Sequence, residues 1–220
     1  MNGKLIVFEG VEGAGKTTQM QLLIHYLRSS PWKIGPLVAT REPGGTELGM
    51  ALRRLLLESH SGEFVSNRTE LLMYSADRAQ HVETFLKPEL EKGSIILCDR
   101  FTDSTIAYQG YGRGLKLSLI KQLNAIATDG LQSDLTFWLD INVESGLTRV
   151  RARGECDRIE QADLEFHRRV QKGFTELAQQ NPDRIVRINA DRSESEISEE
   201  IQAIFSQKLE KWGYLKIFEG

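Results

Sequence analysis

The sequence predicts an α/β protein with a parallel sheet and crossover helices, and three observations carry that expectation. Five short apolar runs, at residues 5–8, 37–40, 94–98, 135–139 and 184–188, alternate with longer segments. The longer segments repeat apolar residues at the spacing of amphipathic helices. The first run also passes into a glycine-rich loop and then a helix-like stretch, the strand-loop-helix order of a phosphate-binding unit.

Taken in order, run 5–8 reads as a buried strand. After it, Gly10-Val11-Glu12-Gly13-Ala14-Gly15-Lys16-Thr17 is the full G-x-x-x-x-G-K-[ST] pattern, with Thr18 just behind it on the helix. Its glycines let backbone N–H groups turn inward around phosphate oxygens, and the following helix directs its positive end at them. Lys16 then reaches the terminal phosphates of a nucleoside triphosphate, and Thr17 is placed to ligate Mg²⁺. Run 37–40 opens into Arg41-Glu42-Pro43-Gly44-Gly45-Thr46, a turn into a helix beginning near Glu47 whose stripe of Leu48, Ala51, Leu52, Leu55 and Leu56 is expected to face the core. Tyr74 and Arg78 lie four apart on a helical segment, so a ring and a forked donor share one face, suited either to packing or to holding a base.

Run 94–98 leads into Asp99-Arg100, a carboxylate and a guanidinium at the carboxyl end of a buried strand, the edge where open α/β sheets bind ligands. Asp99 is a candidate to hold Mg²⁺ through water and Arg100 to grip a phosphate, with a structural ion pair as the plain alternative. Arg41 emerges at the same edge as a second phosphate-gripping candidate. Ser104 and Tyr108 repeat the four-residue spacing, and Gln109 adds an amide for base or sugar contacts. A second apolar stripe, Leu119, Ile120, Leu123 and Ile126, is expected to face the core. From Leu147 to Glu160 a basic helix end breaks at Gly154. Arg149 and Arg153 share a face there and suit closure over transferring phosphates, whereas Arg151 points elsewhere. Asn181-Pro182-Asp183 is a turn before the fifth strand, Ser193 with Glu196 makes a capping box for a last helix to about Lys211, and the apolar tail 212–220 is suited to docking on the body or on a second subunit.

Composition narrows the function. A net charge of −3 provides no overall positive field for nucleic acid or anionic membrane, so basic residues act locally. No run reaches the ~18 residues of a membrane span, no secretion signal is evident, and Cys98 and Cys156 lack metal-ligand spacing, which together predict a cytoplasmic protein with both cysteines as bystanders. The Asp-x-x-Gly and Asn-Lys-x-Asp strings that a regulatory GTPase needs do not occur. Kinases of small acceptors and non-catalytic nucleotide-dependent proteins stay open on these grounds.

The phosphate loop, Thr-Arg-Glu-Pro-Gly-Gly-Thr, Asp99-Arg100-Phe101 with Ser104 and Tyr108-Gln109-Gly110, and Arg-Ala-Arg-Gly-Glu-x-Asp-Arg-Ile-Glu together resemble thymidylate kinase over nearly the whole chain, in order. The resemblance implies the P-loop nucleoside-monophosphate-kinase fold, a five-stranded parallel sheet flanked by helices with a short mobile lid at about 149–160, one kinase domain across 1–220, and a homodimer. It implies transfer of the γ-phosphate of ATP, with Mg²⁺, to dTMP for dTTP synthesis. Glu12 in the loop and arginines in the lid resemble the bacterial lid-arginine form. The same likeness assigns Glu12 to the sugar 3′-hydroxyl, Arg41 and Arg100 to the 5′-phosphate, Tyr74 to stacking on thymine and Arg78 to the base edge. Tyr108 falls to the ribose 2′ side, and Arg153 ahead of Arg149 to the transferring phosphoryl group. Residues 187–191 resemble an adenine-side loop after the fifth strand.

Overall fold

The computed structural model describes residues 3–58, 65–154 and 156–216. Strand β1 (Lys4–Glu9) is apolar toward both faces because helices cover the sheet on either side. Its side chains alternate. Ile6 and Phe8 enter a large core with Leu97, Phe137 and Leu139, while Leu5 and Val7 enter a smaller one with Val82, Leu86, Ile96 and Cys98. Phe8 and Phe137 stand with ring centroids 5.5 Å apart across neighbouring strands. Burying each such ring contributes about 1.5–3 kcal/mol, so the centre of the sheet is a rigid platform.

The other strands are β2 (Leu37–Arg41), β3 (Ile95–Asp99), β4 (Leu135–Asp140) and β5 (Ile185–Asn189). All pairings are parallel and the order is β2-β3-β1-β4-β5, so every expected strand is present and β1 lies in the middle. β3 and β4 each run one residue past the expected end, to Asp99 and Asp140. Arg100 N–H donates to Phe8 O at 3.0 Å and Glu42 N–H to Asp99 O at 2.9 Å, which carries the ladder past the strands and draws their exit loops together.

Helix α1 (Lys16–Ser29) starts at Gly15 with no side-chain cap, leaving its first amides open. By contrast Thr46 caps α2 (Glu47–Leu57), Ser66 caps α3 (Asn67–His81), Asn142 caps α7 (Val143–Ala152) and Asp163 caps α8 (Leu164–Gln180). The expected capping box of Ser193 and Glu196 opens α9 (Glu194–Lys211). α3 runs through a π-helical turn, Val82–Leu86, into α4 (Lys87–Glu91); α5 (Thr102–Thr105) passes into a second, Ile106–Gly112, before α6 (Leu117–Thr128). These wide turns were not legible from spacing, and the second lies beside the site, where such turns recur.

Two expectations need correction. In the stripes on α2 and α6, Leu56 and Ile120 are buried, but Leu48, Leu55, Leu119 and Ile126 are exposed, the last by 77%. Each helix packs through one edge of its stripe and turns the other outward. Arg187 lies inside β5, paired with Asp140 (Nη2–Oδ2 2.6 Å) and over the Trp138 ring, rather than in a loop after the strand. The tail docks on the body as far as it is described: Lys33 N–H donates to Leu215 O and Trp32 pairs with Lys216, while residues 217–220 of that expectation, like Glu155 of the expected lid, lie outside the described residues.

Candidate active site

The carboxyl ends of β1, β2 and β3 open on one side of the sheet, and two recesses meet there. The first is a cavity of about 230 Å³ lined by Glu12, Arg41, Tyr74, Arg78, Asp99, Arg100, Ser104, Tyr108 and Gln109 among others. The second, about 420 Å³, is lined by Gly13, Ala14, Gly15, Lys16, Thr17, Thr18, Arg149, Arg153, Arg192, Glu194 and Ile197. Gly13, Lys16, Thr17 and Arg153 line both. Arg151 lines neither, as its position on the helix predicts.

Lys16 is buried and its Nζ donates to the carbonyls of Gly10 (3.1 Å) and Val11 (3.0 Å). Burial, then the nearby Arg100 charge, lowers its ammonium pKa to about 8. Those carbonyls are weak partners for a cation under such pressure, so an incoming phosphate has a ready donor. Thr17 Oγ1 donates to Asp99 Oδ2 at 3.1 Å, which brings both expected metal-holding residues together at the loop mouth.

Arg100 has φ +71, an uncommon backbone conformation for a residue with a Cβ. Its guanidinium donates to Gly10 O, Ser104 Oγ and Glu12 Oε1 and lies 4.8 Å above the Tyr108 ring. The Tyr108 hydroxyl donates to both oxygens of Glu12, at 2.7 and 2.8 Å. Burial opposes the Glu12 charge, but Arg100, Lys16 and the Tyr108 hydroxyl outweigh it and hold the carboxyl at about 2. Glu9, wholly buried at the end of β1, accepts from Phe101 N–H (2.9 Å), Ser104 N–H (3.1 Å) and Ser104 Oγ, and so pins the first turn after Arg100. Burial pushes its carboxyl up to about 7.

Arg78 and Gln109 line the cavity but are already engaged. Arg78 is buried and donates to Glu42, Thr105, Asn124 and the Phe101 carbonyl. Gln109 Nε2 donates to Glu70 Oε1. Glu70 also receives Arg113 and, through Arg158 Nη2 at 2.6 Å, the segment following α7. Arg153 is mostly exposed and pairs with Glu160 at 2.7 Å.

Sequence reasoning missed Arg53, whose Nη1 donates to Pro43 O and whose side chain joins Arg41 at the cavity wall. Its place four residues after buried Gly49 and three before buried Leu56 was the available signal. It also missed Arg192, Glu194 and Ile197, which occupy the second recess where residues 187–191 were expected. The capping box marks where α9 begins, and thus where its first turn meets the phosphate loop.

The loop and α7 touch backbone to backbone. A Cβ on Gly13 (φ +72) would stand 2.2 Å from Gly146 O, and one on Gly146 would stand 2.5 Å from Glu12 O, so neither position has room for a side chain.

The family model described as thymidylate kinase matches residues 8–201. Thymidylate kinases of Nostoc punctiforme and Trichodesmium erythraeum are 61% and 58% identical, over 95% and 98% of this chain and 98% and 100% of their own lengths. A crystal structure of thymidylate kinase from Ehrlichia chaffeensis aligns with a TM-score of 0.76 at 36% identity, covering 94% of this chain and 99% of that one. Sequence and backbone agree along nearly the whole length, and the chain belongs to the thymidylate kinase family.

Proposed function

We propose that this protein transfers the γ-phosphoryl group of ATP to dTMP, yielding ADP and dTDP on the way to dTTP for DNA synthesis. The observation that carries the proposal is the meeting of the two recesses at Gly13, Lys16, Thr17 and Arg153. A group handed from one bound molecule to another must cross such a junction. In this reading the open amides of α1 and the loop Gly10–Thr18 hold the triphosphate, and Lys16 leaves its two carbonyls for the phosphates. Arg41 and Arg100 hold the acceptor phosphate, Tyr74 its base, and Glu12 with Tyr108 its sugar, with Ser104 and Gln109 completing the wall.

An acceptor phosphate oxygen attacks the γ-phosphorus while the bond to the bridging β–γ oxygen breaks. No side-chain base is required, because a phosphate monoester is already anionic near neutral pH. Positioning and charge neutralisation therefore carry the rate. Arg153, itself largely exposed and paired with Glu160, is the first candidate to meet the moving phosphoryl group, and Arg149 the second. Thr17 and Asp99 fit Mg²⁺: a hydroxyl and a carboxylate oxygen 3.1 Å apart are hard donors, and no cluster of three or more metal-binding side chains occurs among the described residues, as suits an ion held largely by phosphates and water. When bound, Mg²⁺ supplies neutralisation of the triphosphate charge.

The proposal extends to one kinase domain over 1–220 with a mobile lid at about 149–160, in the cytoplasm, acting on a small molecule with neither nucleic acid nor membrane as partner. No described helix is long and apolar enough to cross a membrane. Exposed Leu48, Met50 and Leu72 on α2 and α3, with Leu119 and Ile126 on α6, support a homodimer. Coupled ADP release across nucleoside monophosphates tests the activity: dTMP is expected to react fastest. A faster alternative acceptor, or ATP turnover without any phosphorylated acceptor, would overturn it.

A further inference from the structure

Glu42 has no part in the transfer just described, yet it is among the most buried carboxylates in the protein, 4% exposed. It is the first residue beyond β2, next to Arg41. Its Oε2 accepts from Arg78 Nε at 2.8 Å and its Oε1 contacts His81 Nδ1 at 2.9 Å. The far ring nitrogen of His81 meets Thr40 Oγ1 at 2.8 Å, and the ring stacks on Phe85, so the imidazole is fixed from both ends. The partner on Nε2 is a hydroxyl able to donate, which assigns the Nδ1 proton to the Glu42 bond.

The consequence falls on Arg78. Its Nη1 donates to Thr105 Oγ1 (2.7 Å) and Asn124 Oδ1 (2.8 Å), its Nη2 to Phe101 O (3.1 Å), and its plane lies over the Phe101 ring. A guanidinium has five N–H groups, and among the described residues these bonds with Glu42 leave a single Nη2 N–H in a residue that lines the acceptor cavity. Asn124 is itself held, its Nδ2 donating to Thr102 O. The guanidinium cannot rotate to present a different edge without breaking several bonds, one of them to the Glu42 carboxylate. A lone fixed N–H favours a base edge carrying a carbonyl and opposes one carrying an exocyclic amine, where two donors would meet.

We propose that Glu42 is a positioning residue for base selection, locking Arg78 so that one N–H faces the acceptor base and a carbonyl-bearing pyrimidine is preferred over an amino-bearing one. The inference rests on the dTMP reading and on Arg78 facing the base. Because Glu42 adjoins Arg41, one loop ties the phosphate-gripping end of the cavity to its base-reading end.

The test compares kcat/KM for dTMP and dCMP in the wild type, Glu42→Gln, Glu42→Asp and Asn124→Ala. In Glu42→Gln the amide oxygen accepts from Arg78 or His81 but not as an anion, so the dTMP:dCMP ratio is expected to fall by about 10-fold, with the KM for dTMP rising and kcat at saturation within about 3-fold. Glu42→Asp keeps the charge and is expected to recover part of the ratio. Removing a buried counter-ion can unfold a chain. Asn124→Ala loosens the same guanidinium from its neutral side and is expected to lower the ratio by about 3-fold in folded protein. An unchanged ratio in folded Glu42→Gln, or in Asn124→Ala where the first does not fold, overturns the proposal. Arg78→Ala separates the two readings: if it leaves the ratio unchanged, Arg78 does not read the base; if it abolishes a ratio that the Glu42 and Asn124 variants retain, Arg78 reads the base without Glu42.

Discussion

Replacing Glu9 by Gln should make the protein more stable, and only above mildly acidic pH. The side chain is 0% exposed, and its carboxyl is raised from 4.5 to about 7, chiefly by burial. At about 1.4 kcal/mol per pH unit this difference corresponds to about 3 kcal/mol. Below pH 4.5 the carboxyl is protonated whether the chain is folded or not, and contributes no pH dependence. Between 4.5 and 7 the unfolded chain has released its proton while the folded one retains it, so unfolding becomes easier as pH rises, and above 7 the full amount is lost. Gln keeps the shape: its oxygen accepts from Phe101 N–H and Ser104 N–H, and its nitrogen faces Ser104 Oγ. Urea unfolding of both proteins from pH 4.5 to 8 should show Glu9→Gln gaining on the wild type steadily, by about 3 kcal/mol at the upper end. A difference that stays flat across this range would refute the reasoning, and a wild type that gains on the variant with pH would reverse its sign.

Lys16→Ala, which removes a buried ammonium from the junction of the recesses, is expected to lower turnover at saturating ATP by roughly 10²-fold or more with the fold intact by circular dichroism. Arg153→Ala should cost little thermal stability, because the arginine end of its ion pair with Glu160 is largely exposed, while kcat falls far more than dTMP affinity. A collapse of dTMP affinity with unchanged kcat would instead make it an acceptor-binding residue. Tyr108→Ala should narrow the preference for dTMP over its ribose counterpart by about 10-fold in kcat/KM. It also vacates space against Phe166 and Phe174, so Tyr108→Phe, which removes only the two bonds to Glu12, is the control expected to retain sugar preference.

Local chemistry made much of this protein readable. The loop at Gly10–Thr17 needs its residue types at fixed spacing, buried parallel strands must be apolar throughout, and Ser193 with Glu196 is a self-contained cap. Tyr74 and Arg78, four apart, do share a cavity wall. Long-range partners were not readable. That Arg78 is held by Glu42, Thr105 and Asn124 depends on three other segments converging, and no spacing within one segment encodes it. The outward edges of the α2 and α6 stripes were misread for a related reason: periodicity shows that a helix has an apolar face but not how wide a strip its neighbours cover. Resemblance alone assigns residues 187–191 to a loop, although the run 184–188 already carries Arg187 inside the strand, where β5 holds it.

The bare contact between Gly13 and Gly146 turns α7 into a measuring rod whose zero mark is the phosphate loop. At about 1.5 Å of rise per residue, Arg149 and Arg153 stand about 4.5 and 10.5 Å along the rod, one and two turns out on the same side. Length changes should therefore be punished unevenly along this segment. One residue added between Gly146 and Arg149 swings both arginines about 100° around the axis, away from the phosphates. The same insertion beyond Gly154, where the helix has already ended, leaves the graduated part intact.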